Sequence, residues 1–195
     1  MKKPQSRKLC YILCYREPNY VRSMSLIAAL RRMQGAVVHE AVNTSTGWIR
    51  YVETIARLIR CRLTEQPDIY ILGFRGYEIF WVARLLTAGR TLVFDHMMSP
   101  YDSLLNERRA IRRGGLLDAL VYRYERGILQ YSDLVLTDTE SHRRFFSERF
   151  GVPSGKIAVV PVGTDESLFY PQPWPKAQEK GWLHVLFYGS FQPLH

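Results

Sequence analysis

Residues 132–162, SDLVLTDTESHRRFFSERFGVPSGKIAVVPV, read as one strand–helix–strand unit. Leu134–Thr137 is a short apolar run, the mark of a buried strand. Asp138 or Thr139 follows, and either can accept from the free amides of a helix start. The helix carries Phe145, Phe146 and Phe150 and stops at Gly151, the residue best suited to a left-handed cap. Ile157–Val162 is a second apolar run. Parallel strands need a crossover of this length, whereas antiparallel ones need only a tight turn. The unit therefore predicts a parallel sheet.

The same alternation extends back to the N-terminus. Lys8–Tyr15, Val37–Val42, Asp68–Phe74 and Thr91–Met97 read as strands. Helices are predicted at Ser25–Gln34, Trp48–Leu63 and Tyr77–Leu86, and over an Arg-rich region at about 103–130 that breaks or bends at Gly114–Gly115. In the second helix Trp48, Val52, Ile55, Ile59 and Leu63 recur every three or four positions, as a core-facing stripe does. Strands alternating with helices make an α/β chain. The expected fold is Rossmann-like, a three-layer parallel sheet with helices on both faces.

The 195 residues are 47% hydrophobic and 23% charged, the balance of a soluble globular domain. No apolar run approaches the roughly 20 residues of a membrane span. The basic start MKKPQSRKLCYILCY leads into a first strand rather than a cleaved signal, which implies a cytoplasmic protein. Cys10 and Cys14 on one strand would lie about 13 Å apart, too far to bridge. With Cys61 on a helix, the three cysteines read as reduced thiols.

The formal charge is +9, with clusters at Lys2, Lys3, Arg7 and Lys8 and at Arg108, Arg109, Arg112 and Arg113. These suit anionic partners such as nucleotide phosphates or anionic lipid, and equally a solvated face. The segment NERRAIRRGGLLDALVYRYERGIL, 106–129, mixes cations with Leu116, Leu117, Leu120, Val121, Tyr124 and Ile128. It reads either as a helix packed on its own sheet or as one lying on a membrane surface. A nucleic-acid partner is not expected, because no reading motif accompanies the charge.

Ligands of open parallel sheets bind at the carboxyl ends of the strands. The first such loop, Arg16-Glu17-Pro18-Asn19-Tyr20, lacks the glycines of a dinucleotide fold, and no Walker, zinc or GxSxG pattern occurs. The richest loop is FDHMMSPYD, 94–102. Asp95 and His96 point to opposite faces at a strand end, so one can orient while the other meets a sugar hydroxyl. Alternatively, Asp95 caps the next helix and His96 is a satisfied structural histidine. Glu140 and Ser141 open a helix whose free amides suit a polar acceptor, or they simply cap it. Arg16 and Asn19 are candidates for contact with a phosphate or sugar.

The tail carries a resemblance. IAVVPVGTDESLFYPQPWP, 157–175, ends a strand in Pro161, Gly163 and Asp165, then turns at Phe169 and Pro171. LHVLFYGSFQPLH, 183–195, reads as an opening strand and turn without a partner. Together with 132–157 this resembles the interdomain junction of family-4 glycosyltransferases of the two-domain GT-B type. The glycine-rich first loop of many members is missing here.

The resemblance implies an N-terminal acceptor-binding domain at 1–163, a linker at 164–182 and the start of a nucleotide-sugar-binding domain at 183–195. It further implies transfer with retention from a nucleotide-sugar donor to a glycan or lipid-linked acceptor, in polysaccharide or glycolipid assembly, with no metal or other cofactor. His96 would then touch the transferred sugar, Asp95, Arg16, Asn19, Glu140 and Ser141 would line the acceptor side, and Gly189 and Ser190 would lie near the donor diphosphate. These residues alone would be inactive. The basic clusters would allow peripheral contact at the inner face of a membrane. A non-catalytic module that binds a sugar, a lipid phosphate or a protein is the alternative.

Overall fold

Six apolar runs become strands and align in a single sheet. The structure, a computed structural model, describes residues 6–164, 169–171 and 173. The strands are β1 (Arg7–Leu13), β2 (Ala36–Val42), β3 (Ile69–Leu72), β4 (Thr91–Asp95), β5 (Leu134–Thr137) and β6 (Ile157–Val159). Their order is β2-β1-β3-β4-β5-β6, and every pairing is parallel. The inner strands β1, β3 and β4 are buried on both faces, which is why they read as unbroken apolar runs. Edge strand β2 is mostly half-exposed and carries His39 and Glu40.

The helices are α1 (Val21–Arg32), α2 (Ile49–Thr64), α3 (Phe80–Leu86), α4 (Pro100–Asp102), α5 (Leu116–Tyr131) and α6 (Glu140–Phe150). On one face α1 sets Ile27 against Tyr11, Leu13, Ile71, Val93 and Leu136. On the other, α2, α3 and α5 supply Leu58, Phe80, Ala83 and Ile128 to cover Cys10, Ile12, Tyr70, Leu72 and Phe94. Phe146 and Phe150 of α6 pack on Val135 and Ile157. Val135 pairs with Phe94, so α6 shares the side of α5. This is the Rossmann-like three-layer fold expected. All three cysteines are free and buried.

Several boundaries differ from the sequence reading. Helix α1 begins at Val21 rather than Ser25, because Tyr20 stands at its cap position without a side-chain cap to announce it. The region 103–130 is not one helix. Ser99 accepts from the Asp102 amide to start α4, which runs into a single π-helical turn at Ser103–Glu107. The chain then leaves the helical path, with Arg109 and Gly114 at positive φ, before α5 begins after Gly115. Thr139, not Asp138, caps α6, and Gly151 closes it at φ 68°.

Helix α2 presents a different face from the one its periodicity predicts. Trp48 and Leu63 are 73% and 72% exposed, and Val52 and Ile59 also face outward. The buried positions are Thr54, Leu58 and Cys61. The Thr54 hydroxyl donates to the Leu13 carbonyl at 3.1 Å on the side of the helix that faces β1. The apolar stripe is left on the outside of the layer. The N-terminal half of α5 behaves alike: Leu116, Leu117 and Leu120 are exposed, while Ile128 and Leu129 are buried.

Candidate active site

The carboxyl edge of the sheet gathers most of the polar chemistry. Asp95 ends β4 and turns toward α1. Arg22, in the first turn of α1, donates from Nη2 to Asp95 Oδ1 at 2.8 Å and from Nε to both carboxylate oxygens at 3.2 Å. Its Nη1 donates to the Val160 carbonyl just past β6. Both side chains are essentially fully buried. Burial pushes the Asp95 carboxyl above its ordinary range, against the opposing pull of the Arg22 guanidinium. Asp95 does not cap the following helix, which is the work of Ser99.

His96 points to the opposite face, as strand alternation requires. Its backbone N–H donates to the Leu136 carbonyl at 2.8 Å, continuing the sheet by one residue. The ring lies between Phe94 and Phe146, with centroids 5.0 and 4.9 Å away. Nε2 lies 2.9 Å from Glu125 Oε1, and Glu125 Oε2 accepts from the Tyr101 amide at 2.7 Å. Glu125 comes from α5 and is itself buried. A carboxylate there accepts from the Nε2–H and fixes the orientation of the ring, with Nδ1 on the side away from Glu125. His96 is only 2% exposed.

The end of β5 adds a pair that the sequence reading passed over. Asp138 Oδ1 lies 2.6 Å from His142 Nδ1, and both are partly open to solvent. The His142 ring stacks on Phe146 at 6.0 Å, the same phenylalanine that touches His96. The negative charge of Asp138 also contributes to raising Asp95. The signal was readable: Asp138 and His142 are four apart across a helix start. Glu140 and Ser141 open α6 at the exposed surface, and Glu140 pairs with Arg143 at 2.9 Å.

A second group surrounds β1 and β3, where the strand order reverses. Such switch points are where open α/β sheets take ligands. Asn43 clamps the loop after β1, accepting from the Tyr15 amide at 3.0 Å and donating to its carbonyl at 2.8 Å. Tyr15, Tyr20 and Phe74 form an aromatic cluster, with Tyr20 stacked on Phe74 at 4.5 Å. Arg75, at φ 57°, lies over the rings of Tyr15 and Tyr77. Gly73 is required there: a Cβ would stand 2.5 Å from the Tyr11 hydroxyl oxygen.

Arg16 and Asn19 sit in the exposed part of this rim, Arg16 beside Glu17 at 3.2 Å. Among the described residues no hydrogen bond or ion pair joins them to Asp95 or His96. Gly189, Ser190 and most of the linker lie outside the described residues. A hollow of about 460 Å³ lined by Lys8, Asp68 and Arg90 lies at the opposite, amino-terminal edge and shares none of these groups.

A family model for a glycosyl transferase 4-like domain matches residues 12–163. The chain belongs to the glycosyl transferase 4-like domain family. The match begins inside β1 and ends just past β6, so in this transferase domain it spans both groups at the carboxyl edge. No curated protein matches the chain. Membership brings glycosyltransferase function in general terms, and with it a sugar donor and an acceptor. Among the described residues no helix of the transferase domain is long and apolar enough to cross a membrane.

Proposed function

We propose that this domain is the acceptor-binding lobe of a retaining GT-B glycosyltransferase. A sugar passes from a nucleotide-sugar donor to a glycan or lipid-linked acceptor, in polysaccharide or glycolipid assembly. Residues 1–163 form the lobe, 164–182 a linker, and 183–195 the opening of the donor-binding lobe, with Gly189 and Ser190 beside the diphosphate. No metal takes part, and residues 1–195 alone do not turn over. The protein works in the cytoplasm, with peripheral membrane contact through its arginine clusters.

The observation that carries this reading is the His96–Glu125 pair at the carboxyl edge of a family-matched sheet. Glu125 fixes the imidazole tautomer, and His96 then uses Nδ1 to accept from a hydroxyl of the transferred sugar. Asp95, held by Arg22, keeps the strand end in register beneath it. Arg16 and Asn19 on one side, and Glu140 and Ser141 on the other, contact the acceptor. The cleft becomes dry only when a second lobe closes over it, which is where electrostatic contacts gain strength.

The test uses the full-length protein with a panel of nucleotide-sugars. His96→Ala should cut turnover about a hundredfold or more when assayed well below its melting point, which falls by several degrees because the Glu125 carboxylate is left buried and unpaired. Glu125→Gln, which keeps the shape and loses the carboxylate, should lower kcat more than it changes KM. Near-wild-type turnover in His96→Ala would remove the assigned role. A second reading is supported by the depth of His96, which is 2% exposed: a non-catalytic module that binds a sugar, a lipid phosphate or a protein. It predicts ligand binding without donor hydrolysis.

A further inference from the structure

Helices α2, α3 and α5 lie side by side over one face of the sheet, and their outer surface is apolar to an unusual degree. Trp48 at the cap of α2, Val52 and Leu63 on α2, Leu85 on α3, and Leu116 and Leu120 on α5 all stand more than half exposed. A soluble surface offsets such residues with mixed charge. Here the charged residues that stand well out into solvent on the three helices are all arginines: Arg57, Arg60, Arg123 and Arg126. Their acids are withdrawn. Glu53 is tied to Thr44, Ser45 and Arg57, Asp118 accepts from the Gly114 amide, and Glu125 is buried beneath His96. Arg108, Arg109, Arg112 and Arg113, all exposed, precede α5 directly.

We infer that this outer helical face docks on a bilayer carrying anionic lipid. Apolar side chains enter the headgroup boundary, and arginines lay their stems along it with guanidiniums at phosphate level. A second copy of the chain suits the face poorly, since a two-fold interface would oppose arginine to arginine with no exposed acid on these helices to pair. A nucleic acid would use the cations but leave the leucines in water. The inference rests on the peripheral contact proposed above and assigns it a surface.

The experiment is vesicle co-sedimentation of the full chain, with no sugar donor present. Phosphatidylcholine vesicles with about 30% phosphatidylglycerol are compared with pure phosphatidylcholine. Binding should require the anionic lipid and weaken with salt. Each arginine at the headgroups is worth about fivefold in partitioning, so Arg112→Ala with Arg113→Ala should lose about 25-fold. Leu116→Glu with Leu120→Glu should lose at least tenfold. Arg31→Ala with Arg32→Ala, on α1 across the sheet, should change partitioning less than twofold.

Equal sedimentation with both lipids, or none with either, overturns the inference. So does a dimer in solution that the leucine variants split while vesicle binding is absent. Because no step reads sugar transfer, a negative result here leaves the transferase reading standing, and loss of transfer activity elsewhere leaves this one standing.

Discussion

Replacing Asp95 by Asn tests whether the carboxyl edge depends on its buried ion pair. The amide keeps the shape and loses the charge. Arg22 would then remain about 1% exposed, with its guanidinium facing an amide oxygen and the Val160 carbonyl. Removing one partner of a buried pair costs about 3–5 kcal/mol, because the surviving charge stays desolvated. For a chain of this size each kcal/mol moves the thermal midpoint by about 2–4 °C, so the variant should melt roughly 10 °C lower by circular dichroism. The double replacement Arg22→Met with Asp95→Leu removes both charges. It leaves the Val160 carbonyl short of a donor, at about 1–3 kcal/mol, and should still melt above the single variant. If Asp95→Asn costs under about 1 kcal/mol, or the double variant is no more stable than the single, the ion pair is not what holds this edge.

Two further outcomes follow from the loops. Glu53 accepts from the backbone of Ser45, then from the side chain and backbone of Thr44, which hold its carboxyl down to about 2. Its folded value lies below the ordinary carboxylate range near 4.3, so it stabilises the fold above that pH and the contribution fades as pH falls toward about 2. A carboxyl-carbon NMR titration should place its midpoint near 2, and a midpoint above 4 would count against these bonds. Gly73→Ala should cost about 1–3 kcal/mol by overpacking against the fully buried Tyr11 ring. Tyr11→Phe should recover part of that in denaturant melts, since the nearest atom to the new methyl is the hydroxyl.

The strands were legible because each is a compact apolar run between polar breaks, and β5 and α6 lie where their residues said. The chemistry at β4 was half legible. Asp95 and His96 announce themselves as a pair at a strand end, but their partners do not. Arg22 is 73 residues from Asp95, and Glu125 is 29 from His96. Only the assembled sheet brings them together. Glu125 in particular reads as one more charge in an Arg-rich helix. The face of α2 was misjudged for a physical reason: periodicity finds the apolar stripe but cannot say what covers it. The covered side is Thr54, Leu58 and Cys61, with the Thr54 hydroxyl bonded to the Leu13 carbonyl. The sequence marks the break at 108–115 only by its glycine pair, whereas the helical path ends earlier, after Glu107.

Arg22 ties together segments that begin far apart: the opening turn of α1, the tip of β4 and the carbonyl at residue 160. The backbone leaving β6 therefore starts from a point clamped to the strand that bears His96. One guanidinium joins that exit point to Asp95, the residue before the imidazole. The Val160 peptide and the β4 tip share a single hydrogen-bonding group.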